Sequence, residues 1–193
     1  MRVGARLLLV GALVAVLGWF TASVLVLPPA HRFFDLTVYR GAARWWLDHR
    51  SLYAFVRPGS SKGFTYPPFA VLCLLPTALV SQPTAIVVVT AASALLVVGT
   101  TWWLVGPVAR RHRWPRWFAV ALAVPLVFAM EPVRETLAWG QVNLFLVALV
   151  LADVAALQRG RRWAGIGIGL ATAIKLTPGL FVVYLALSGR RRA

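Results

Sequence analysis

Acidic residues are scarce in this sequence. Only five of its 193 residues are Asp or Glu, against 20 Lys and Arg, and the formal net charge is +15. Charged residues of both signs make up 13% of the chain, about half the share that is usual in a soluble domain. This scarcity argues against a disordered chain, an ordinary soluble domain and a carboxylate-rich metal site.

Cysteine and the common catalytic motifs are also nearly absent. Cys73 is the single cysteine, so no intrachain disulfide can form, and its apolar surroundings predict a small buried side chain. The sequence has no CxxC, HExxH, GxxxxGK[ST] or GxSxG motif, and His31, His49 and His112 are far apart along the chain. We therefore predict that the protein uses no metal and no cofactor.

Apolar residues dominate what remains. They make up 60% of the chain, and the mean hydropathy is +0.78. This composition predicts an all-α polytopic membrane protein with the lipid bilayer as its partner. The excess of Arg then fits basic loops that fix topology and contact anionic lipid, and we predict no binding of nucleic acid.

The apolar stretches predict about six membrane segments in a single domain that comprises residues 1–193. Residues 7–27 form an uncharged run long enough to cross the membrane. Arg2 and Arg6 precede this run, which places the N-terminus in the cytoplasm, with a cleaved signal peptide as the alternative. The other apolar stretches are residues 69–80, 84–104, 117–130, 136–152 and 163–187.

Several of these stretches are too short or too interrupted for a full pass. Lys175 and Pro178 interrupt the last one, which we expect to form two half-helices. Short or broken helices are tolerated where protein or a water-filled cavity satisfies their backbone, so a cavity within the bundle is predicted. The basic clusters at 110–116, 159–162 and 190–192 cannot all be cytoplasmic with six simple passes, and the orientation after the first helix stays open.

The longest hydrophilic stretch, residues 28–68, is expected outside the cytoplasm. Residues 35–50 within it predict an amphipathic helix in the membrane interface. Its apolar face holds Leu36, Tyr39, Ala43, Trp46 and Leu47, and its charged face holds Arg40, Arg44 and Asp48. Asp35 begins this helix, where an acid is favoured by the helix dipole, so a capping role is the simpler interpretation of pattern alone.

Polar residues within apolar surroundings are further candidates for a site. Tyr66 belongs to an aromatic cluster that fits either interfacial anchoring or a platform for a sugar or lipid chain. Gln141 and Asn143 begin an apolar helix, where amides cap or bridge helices. Lys175 fits contact with a lipid phosphate or, alternatively, snorkelling to a headgroup. Asp153, near the far end of its helix, is expected close to water.

The order of motifs is more specific than any single motif. After the first helix come Asp35, Phe-Thr-Tyr-Pro-Pro-Phe at 64–69, Gly-Gln-Val-Asn-Leu at 140–144 and Ala-Ile-Lys-Leu-Thr-Pro at 173–178. This order resembles the polyprenyl-phosphate-mannose-dependent alpha-mannosyltransferases of actinobacteria, glycosyltransferase family 87, over nearly the whole chain. The resemblance implies a GT-C-like helical bundle in the cell membrane, with its active site on the extracytoplasmic side.

The resemblance also implies a reaction and roles for six residues. Family members transfer mannose from polyprenyl phosphomannose to a cell-envelope glycolipid or lipoglycan, and their essential aspartate follows the first helix, where this chain has Asp35. A carboxylate there would take the proton from the attacking acceptor hydroxyl. Arg40 or Lys175 would balance the charge of the leaving phosphate. The remaining candidate substrate-binding residues are Tyr66, Gln141 and Asn143.

The length qualifies this interpretation. Family enzymes are roughly twice as long, so we expect this chain to be an N-terminal half, as a fragment, the product of a frameshifted gene or one part of a split protein, and in the last case a separate C-terminal half is its expected partner. An arabinofuranosyltransferase with a polyprenyl phosphate donor is the alternative within the class. A non-catalytic truncated membrane protein is the alternative outside it, although no internal repeat of the kind that many transporters have is evident.

Overall fold

The structure is a computed structural model that describes residues 32–188 and five isolated positions between residues 11 and 22. Eight α-helices make up most of residues 32–188: α1 Phe34–Leu47, α2 Pro68–Ala78, α3 Gln82–Arg111, α4 Arg116–Ala129, α5 Glu131–Trp139, α6 Asn143–Gln158, α7 Ile166–Ile174 and α8 Gly179–Leu187. A short 3₁₀ turn covers Leu52–Ala54. The described residues contain no β-strand beyond one isolated antiparallel bridge between Val56 and Gly63, and the all-helical prediction is thus confirmed for this part of the chain.

Two compact units divide the described residues. The first unit holds Val89–Leu144 and the described residues up to Phe34. The second unit holds Asp35–Val88 and the described residues from Phe145 onward. The predicted first membrane helix, apart from the five isolated positions, and the basic cluster at 190–192 lie outside the described residues.

Among the described helices, α3 alone is long and apolar enough to cross a membrane by itself. Its 30 residues extend for about 45 Å, which exceeds the hydrocarbon core of a bilayer. Helices α4 and α5 meet the same criterion only as a pair, and they bend by 65° where they join. Met130 joins them in an extended conformation, and Pro132 lies in the first turn of α5.

The starts of α2 and α3 follow from their prolines and hydroxyl side chains. Pro68 occupies the first position of α2, where a missing N–H costs nothing, and the predicted short apolar segment at 69–80 matches this helix. Ser81 precedes α3, and its Oγ accepts a hydrogen bond from the Thr84 backbone N–H at 3.3 Å. Cys73 was predicted to be buried and is instead exposed on α2, because the buried side of that helix carries Ala70, Val71, Leu74 and Ala78.

The prediction of one apolar segment at 136–152 is wrong. The chain ends α5 at Trp139 and begins α6 at Asn143. Gly140 between them has a φ of 68°, and the Gln141 N–H donates to the Thr136 carbonyl across the turn at 2.9 Å. This is the left-handed helix end that glycine favours, and it divides the stretch.

The predicted division of 163–187 into two half-helices is confirmed. Helix α7 ends at Ile174, Lys175 follows in an extended conformation, and Pro178 precedes α8. Pro178 has no N–H to continue a helical ladder, and it disfavours a helical residue before it.

Candidate active site

Helix α1 brings one candidate residue, Asp35, into range of a tyrosine that the sequence pattern assigned to an apolar face. Asp35 lies in the first turn of α1 and is half-buried. Tyr39 lies one turn further on the same side, because residues four apart are neighbours on a helix surface. After burial and the neighbouring Tyr66, the negative charge of Asp35 is the smallest of the influences that raise the pKa of the Tyr39 phenol.

A direct hydrogen bond connects Tyr39 to Tyr66. Their hydroxyl oxygens are 2.8 Å apart and their ring centroids 5.2 Å apart. Only 4% of Tyr39 is exposed. Burial, then the charge and hydrogen bond of Tyr66, and then Asp35 raise the pKa of Tyr39 well above its ordinary value. Tyr39 therefore keeps its proton at any physiological pH and remains a neutral hydrogen-bonding group.

Aromatic neighbours and a backbone bond hold Tyr66 in place. The Tyr53 hydroxyl donates to the Tyr66 carbonyl oxygen at 3.0 Å. The buried ring of Phe64 meets the Tyr66 ring edge to face, with 6.0 Å between centroids. Pro67 follows in an extended conformation at the entry to α2. Tyr66 itself is half-buried, so one part of its ring is available for other contacts.

Lys175 supplies one of those contacts. Its Nζ lies 5.4 Å from the centroid of the Tyr66 ring, within the range of a cation–π interaction. The extended backbone between α7 and α8 presents this half-buried side chain. Three predicted residues, Asp35, Tyr66 and Lys175, thus lie along one chain of interactions that passes through Tyr39. We call Asp35, Tyr39, Tyr66 and Lys175 the tyrosine–lysine cluster.

Arg40 has a different environment from the one predicted. It was assigned to the charged face of α1, but it is 4% exposed, and its Nη2 donates to the Val80 carbonyl at 2.7 Å. Arg44 donates to the carbonyls of Ala78 and Val80 at 2.9 and 3.3 Å. Ala78 ends α2 and Val80 follows it, where helix geometry leaves carbonyls without partners, and both guanidinium groups satisfy these carbonyls although Arg44 itself stays exposed. Arg40 Nη1 is buried without a hydrogen-bond partner among the described residues.

Burial and the neighbouring charge of Arg44 lower the pKa of Arg40. A guanidinium remains protonated even so, and the buried group keeps its positive charge. The Nη1 group is a charged donor with unused capacity, which is the property needed to bind an anion.

Gln141 and Asn143 belong to the first unit and contact their own segment. The Asn143 Nδ2 donates to the Gln141 Oε1 at 2.6 Å and reaches Thr136 Oγ1 at 3.4 Å. Nearby on α5, the Trp139 indole donates to Glu135 Oε2 at 2.8 Å. Asn143 is the first residue of α6, so the prediction that an amide begins an apolar helix is confirmed.

The sequence pattern did not reveal the polar contact of Tyr39 or the burial of Asp153. Tyr39 was assigned to an apolar face, although its position four residues after Asp35 was a signal for a shared face. Asp153 was expected near water, and this is wrong: none of it is exposed, and its Oδ2 accepts a hydrogen bond from the Ile168 N–H at 2.6 Å. In residues 32–188, no three His, Cys, Asp or Glu side chains lie close enough together to hold a metal ion.

Comparison with known proteins gives a family match. The model of glycosyltransferase family 87 matches residues 64–193. A protein of Mycolicibacterium smegmatis, named polyprenol-phosphate-mannose-dependent alpha-(1-2)-phosphatidylinositol mannoside mannosyltransferase, is 38% identical over 169 residues. The matched region covers 79% of this chain and 38% of that protein.

Two further relatives have similar coverage. A protein of the same name from Mycobacterium tuberculosis is 34% identical over 200 residues, or 91% of this chain and 46% of the relative. A polyprenol-phosphate-mannose-dependent alpha-(1-2)-phosphatidylinositol pentamannoside mannosyltransferase of M. smegmatis is 35% identical over 197 residues. The matched region covers 98% of this chain and 45% of that relative. The chain therefore spans less than half the length of these relatives. No solved structure matches it.

Proposed function

The chain belongs to glycosyltransferase family 87, and on that premise we propose that it takes part in transfer of mannose from polyprenyl phosphomannose to a cell-envelope glycolipid or lipoglycan. The relatives named above depend on polyprenol phosphate mannose and act on phosphatidylinositol mannosides, which favours mannose over arabinofuranose as the sugar. The tyrosine–lysine cluster carries the proposal within this chain, because it joins a carboxylate to a cation through two tyrosines.

The proposed location is the cell membrane, with the reaction on its extracytoplasmic side. We treat residues 1–193 as one transmembrane domain with about six membrane segments, of which α3 is the longest described. Residues 28–68 form the outer loop of this arrangement, and α1 within it is the proposed interfacial helix. Arg2 and Arg6 before the first apolar run support this orientation through the preference of basic residues for the cytoplasm.

Asp35 is the proposed general base. The acceptor hydroxyl loses its proton to the carboxylate while its oxygen forms a bond to the anomeric carbon of the donor sugar. The bond between that carbon and the phosphate oxygen breaks, and its electron pair leaves with the polyprenyl phosphate. Attack from the face opposite the leaving group inverts the anomeric configuration. Asp35 lies in the first turn of α1, at the positive end of the helix dipole.

Lys175 and Arg40 are the proposed partners of the donor phosphate. The Lys175 ammonium lies over the Tyr66 ring in a cation–π contact, and its positive charge is of the kind that binds a phosphate oxygen. Arg40 supplies its buried Nη1, which has no hydrogen-bond partner among the described residues. Positive charge from either side chain would stabilise the phosphate as negative charge grows on it during bond breaking.

Tyr66, Gln141 and Asn143 are the proposed uncharged contacts with substrate. The half-exposed ring of Tyr66 offers an apolar face to a sugar or prenyl chain. The amides of Gln141 and Asn143 can donate to and accept from sugar hydroxyls.

Replacement of Asp35 tests the proposed reaction. Membranes that contain the protein together with the expected C-terminal half would be given labelled polyprenyl phosphomannose and a phosphatidylinositol mannoside acceptor. We expect Asp35→Asn to lower transfer at least about a hundredfold, because a positioned general base contributes about that much or more. Asp48→Asn is the matched control, since Asp48 is exposed directly after α1.

Equal transfer by the wild type and Asp35→Asn would refute the role of Asp35 as general base. Transfer of labelled arabinofuranose in place of mannose would refute the donor assignment. A wild-type protein that is stably inserted, supplied with the C-terminal half and both lipids, and still inactive would support the non-catalytic alternative.

A further inference from the structure

Helices α6 and α7 contact each other around a fully buried acid. None of Asp153 on α6 is exposed, and its Oδ2 accepts a hydrogen bond from the backbone N–H of Ile168 at 2.6 Å. Ile168 lies in the first turn of α7, where backbone N–H groups lack partners within the helix. The carboxylate therefore satisfies a donor that α7 cannot satisfy itself, and the positive end of the helix dipole strengthens the bond.

A glycine allows this close approach. A Cβ atom on Gly167 would lie 2.5 Å from the Leu149 carbonyl oxygen and 3.2 Å from the Asp153 Cγ. A contact of 2.5 Å is prohibitive, so α6 and α7 can meet at this distance only because residue 167 has no side chain. Gly169 on the same helix faces open space, with nothing within 4 Å of a Cβ built there.

The other end of α7 carries Lys175. The Lys175 N–H donates to the Ala171 carbonyl at 2.9 Å, which continues the helical bonding of α7 up to this residue. Ile168 and Lys175 are about 10 Å apart along the helix axis. A helical segment of this length moves as a rigid unit, so a displacement at Ile168 is transmitted to Lys175.

We propose that Asp153 is a positioning residue that holds α7 against α6 and thereby keeps the Lys175 ammonium on the ring of Tyr66. Through this contact it would set the place of the cation that receives the donor phosphate, a role that rests on the proposed function of Lys175. All residues of the argument belong to the second unit. Asp153 itself touches no substrate in this proposal.

The lysine content of the chain provides a direct measurement of position. Lys62 and Lys175 are the only lysines, and Lys62 is exposed. An amine-reactive reagent applied to the protein in membranes, with peptide mass spectrometry, gives the labelling rate of Lys175 relative to Lys62. This ratio needs no transferase activity, because it reports how well Lys175 is shielded at its place on Tyr66.

Gly167→Ala is the main variant and Gly169→Ala its matched control. Both add one methyl group to α7, but only the first would push α7 away from α6. We expect Gly167→Ala to raise the relative labelling of Lys175 about fivefold, the change that corresponds to the loss of one hydrogen bond. Gly169→Ala should leave the ratio unchanged. Equal ratios for the two variants would overturn the proposal.

Asp153→Ala and Asp153→Asn test the carboxylate itself. The amide oxygen of asparagine can still accept the Ile168 N–H, so Asp153→Asn should retain most of the shielding, whereas Asp153→Ala should raise the labelling ratio about fivefold. A wild-type ratio in Asp153→Ala would overturn the proposal. If the Asp153→Ala protein does not insert into the membrane, the comparison of Gly167→Ala with Gly169→Ala decides whether the proposal holds.

The role of Lys175 in binding phosphate is tested separately. Polyprenyl phosphate added to the vesicles should protect Lys175 from labelling in the wild type and leave Lys62 unaffected. A shift of the ratio in Gly167→Ala without protection by polyprenyl phosphate would retain the positioning role and refute the phosphate site. Protection without such a shift would refute the positioning role alone.

Discussion

The side-chain contacts of the candidate site residues and their neighbours differ between the two units in how far apart the partners lie along the chain. In the first unit, Asn143 bonds to Gln141 two residues away, and Trp139 bonds to Glu135 four residues away. In the second unit, Tyr39 bonds to Tyr66 across 27 residues, and Lys175 from the end of α7 lies over the same Tyr66. These bonds of the candidate amides in the first unit lie within one segment, whereas the contacts of Tyr39, Tyr66 and Lys175 in the second unit depend on how several helices pack.

This difference indicates how each region responds to substitution. A local pair loses one bond and leaves the helices around it unchanged. A residue of the tyrosine–lysine cluster takes part in a series of contacts, so its loss also alters the surroundings of its neighbours. Three substitutions sharpen the comparison, and they are taken from the largest expected effect to the smallest.

Lys175→Ala should give the largest of the three effects. We expect the KM for the polyprenyl phosphate donor to rise about ten- to hundredfold, because a hydrogen bond to a charged group contributes about 1.5–3 kcal/mol. Initial rates at varied donor concentration measure this change. Lys62→Ala removes the other lysine, which is exposed, and should leave the KM unchanged. An unaltered KM in Lys175→Ala would exclude contact between Lys175 and the phosphate.

Tyr39→Phe should have an intermediate effect. The loss of its hydroxyl removes the bond to Tyr66 and leaves the buried ring, so kcat/KM should fall about fivefold, corresponding to about 1 kcal/mol. Tyr184→Phe is the control, because Tyr184 is exposed on α8. If kcat/KM falls no further in Tyr39→Phe than in Tyr184→Phe, the hydrogen bond between Tyr39 and Tyr66 does not contribute to transfer.

The same variant should alter stability at alkaline pH. The unfolded phenol loses its proton near about pH 10, whereas the raised pKa of folded Tyr39 keeps it protonated. Its contribution to stability is therefore complete below about pH 10 and declines as the pH rises further. Thermal unfolding of the solubilised protein from about pH 8 to about pH 11 should show a shallower alkaline decline in Tyr39→Phe. An identical decline in both proteins would contradict the burial of this phenol.

Asn143→Ala should have the smallest effect. Its bonds to Gln141 and Thr136 are local, so we expect kcat/KM to fall about threefold and the free energy of unfolding to change by less than about 1 kcal/mol. Leu144→Ala provides a comparison at the next position of α6. A loss as large as that of Lys175→Ala would reverse the comparison between the two units and give the amides a direct role with substrate.

Sequence reasoning succeeded where the determining interaction was local. Pro68 indicated the start of α2, and Pro178 indicated the division before α8. Both predictions succeeded because proline restricts the backbone next to it and lacks an N–H donor. The apolar spacing of α1 also placed Leu36 and Ala43 correctly on its buried side. Gly140 is a comparable local signal, because a glycine often ends a helix, but it was not used to predict the end of α5.

The rest depended on partners distant in sequence. Arg40 was assigned to a charged face because nothing near it revealed the carbonyl of Val80, 40 residues later. Asp153 was assigned to water because its partner, the Ile168 N–H, is unpaired only by virtue of its place in the first turn of α7. The hydroxyl of Tyr39 likewise had no visible partner until Tyr66 was placed beside it.

Helix α1 bonds to residues before the start and after the end of α2, and this arrangement affects the order in which the chain folds. Tyr39 bonds to Tyr66 before α2 begins, and Arg40 bonds to Val80 after α2 ends. While the chain is being synthesised, Tyr66 emerges before Val80, so Tyr39 can meet its partner first, whereas Arg40 lacks its partner carbonyl until residue 80 has left the ribosome. A buried guanidinium without its carbonyl is strongly unfavourable, so α1 should remain undocked up to that moment and settle only against a finished α2. Nascent chains arrested before and after residue 80 should therefore differ sharply in protease resistance of α1.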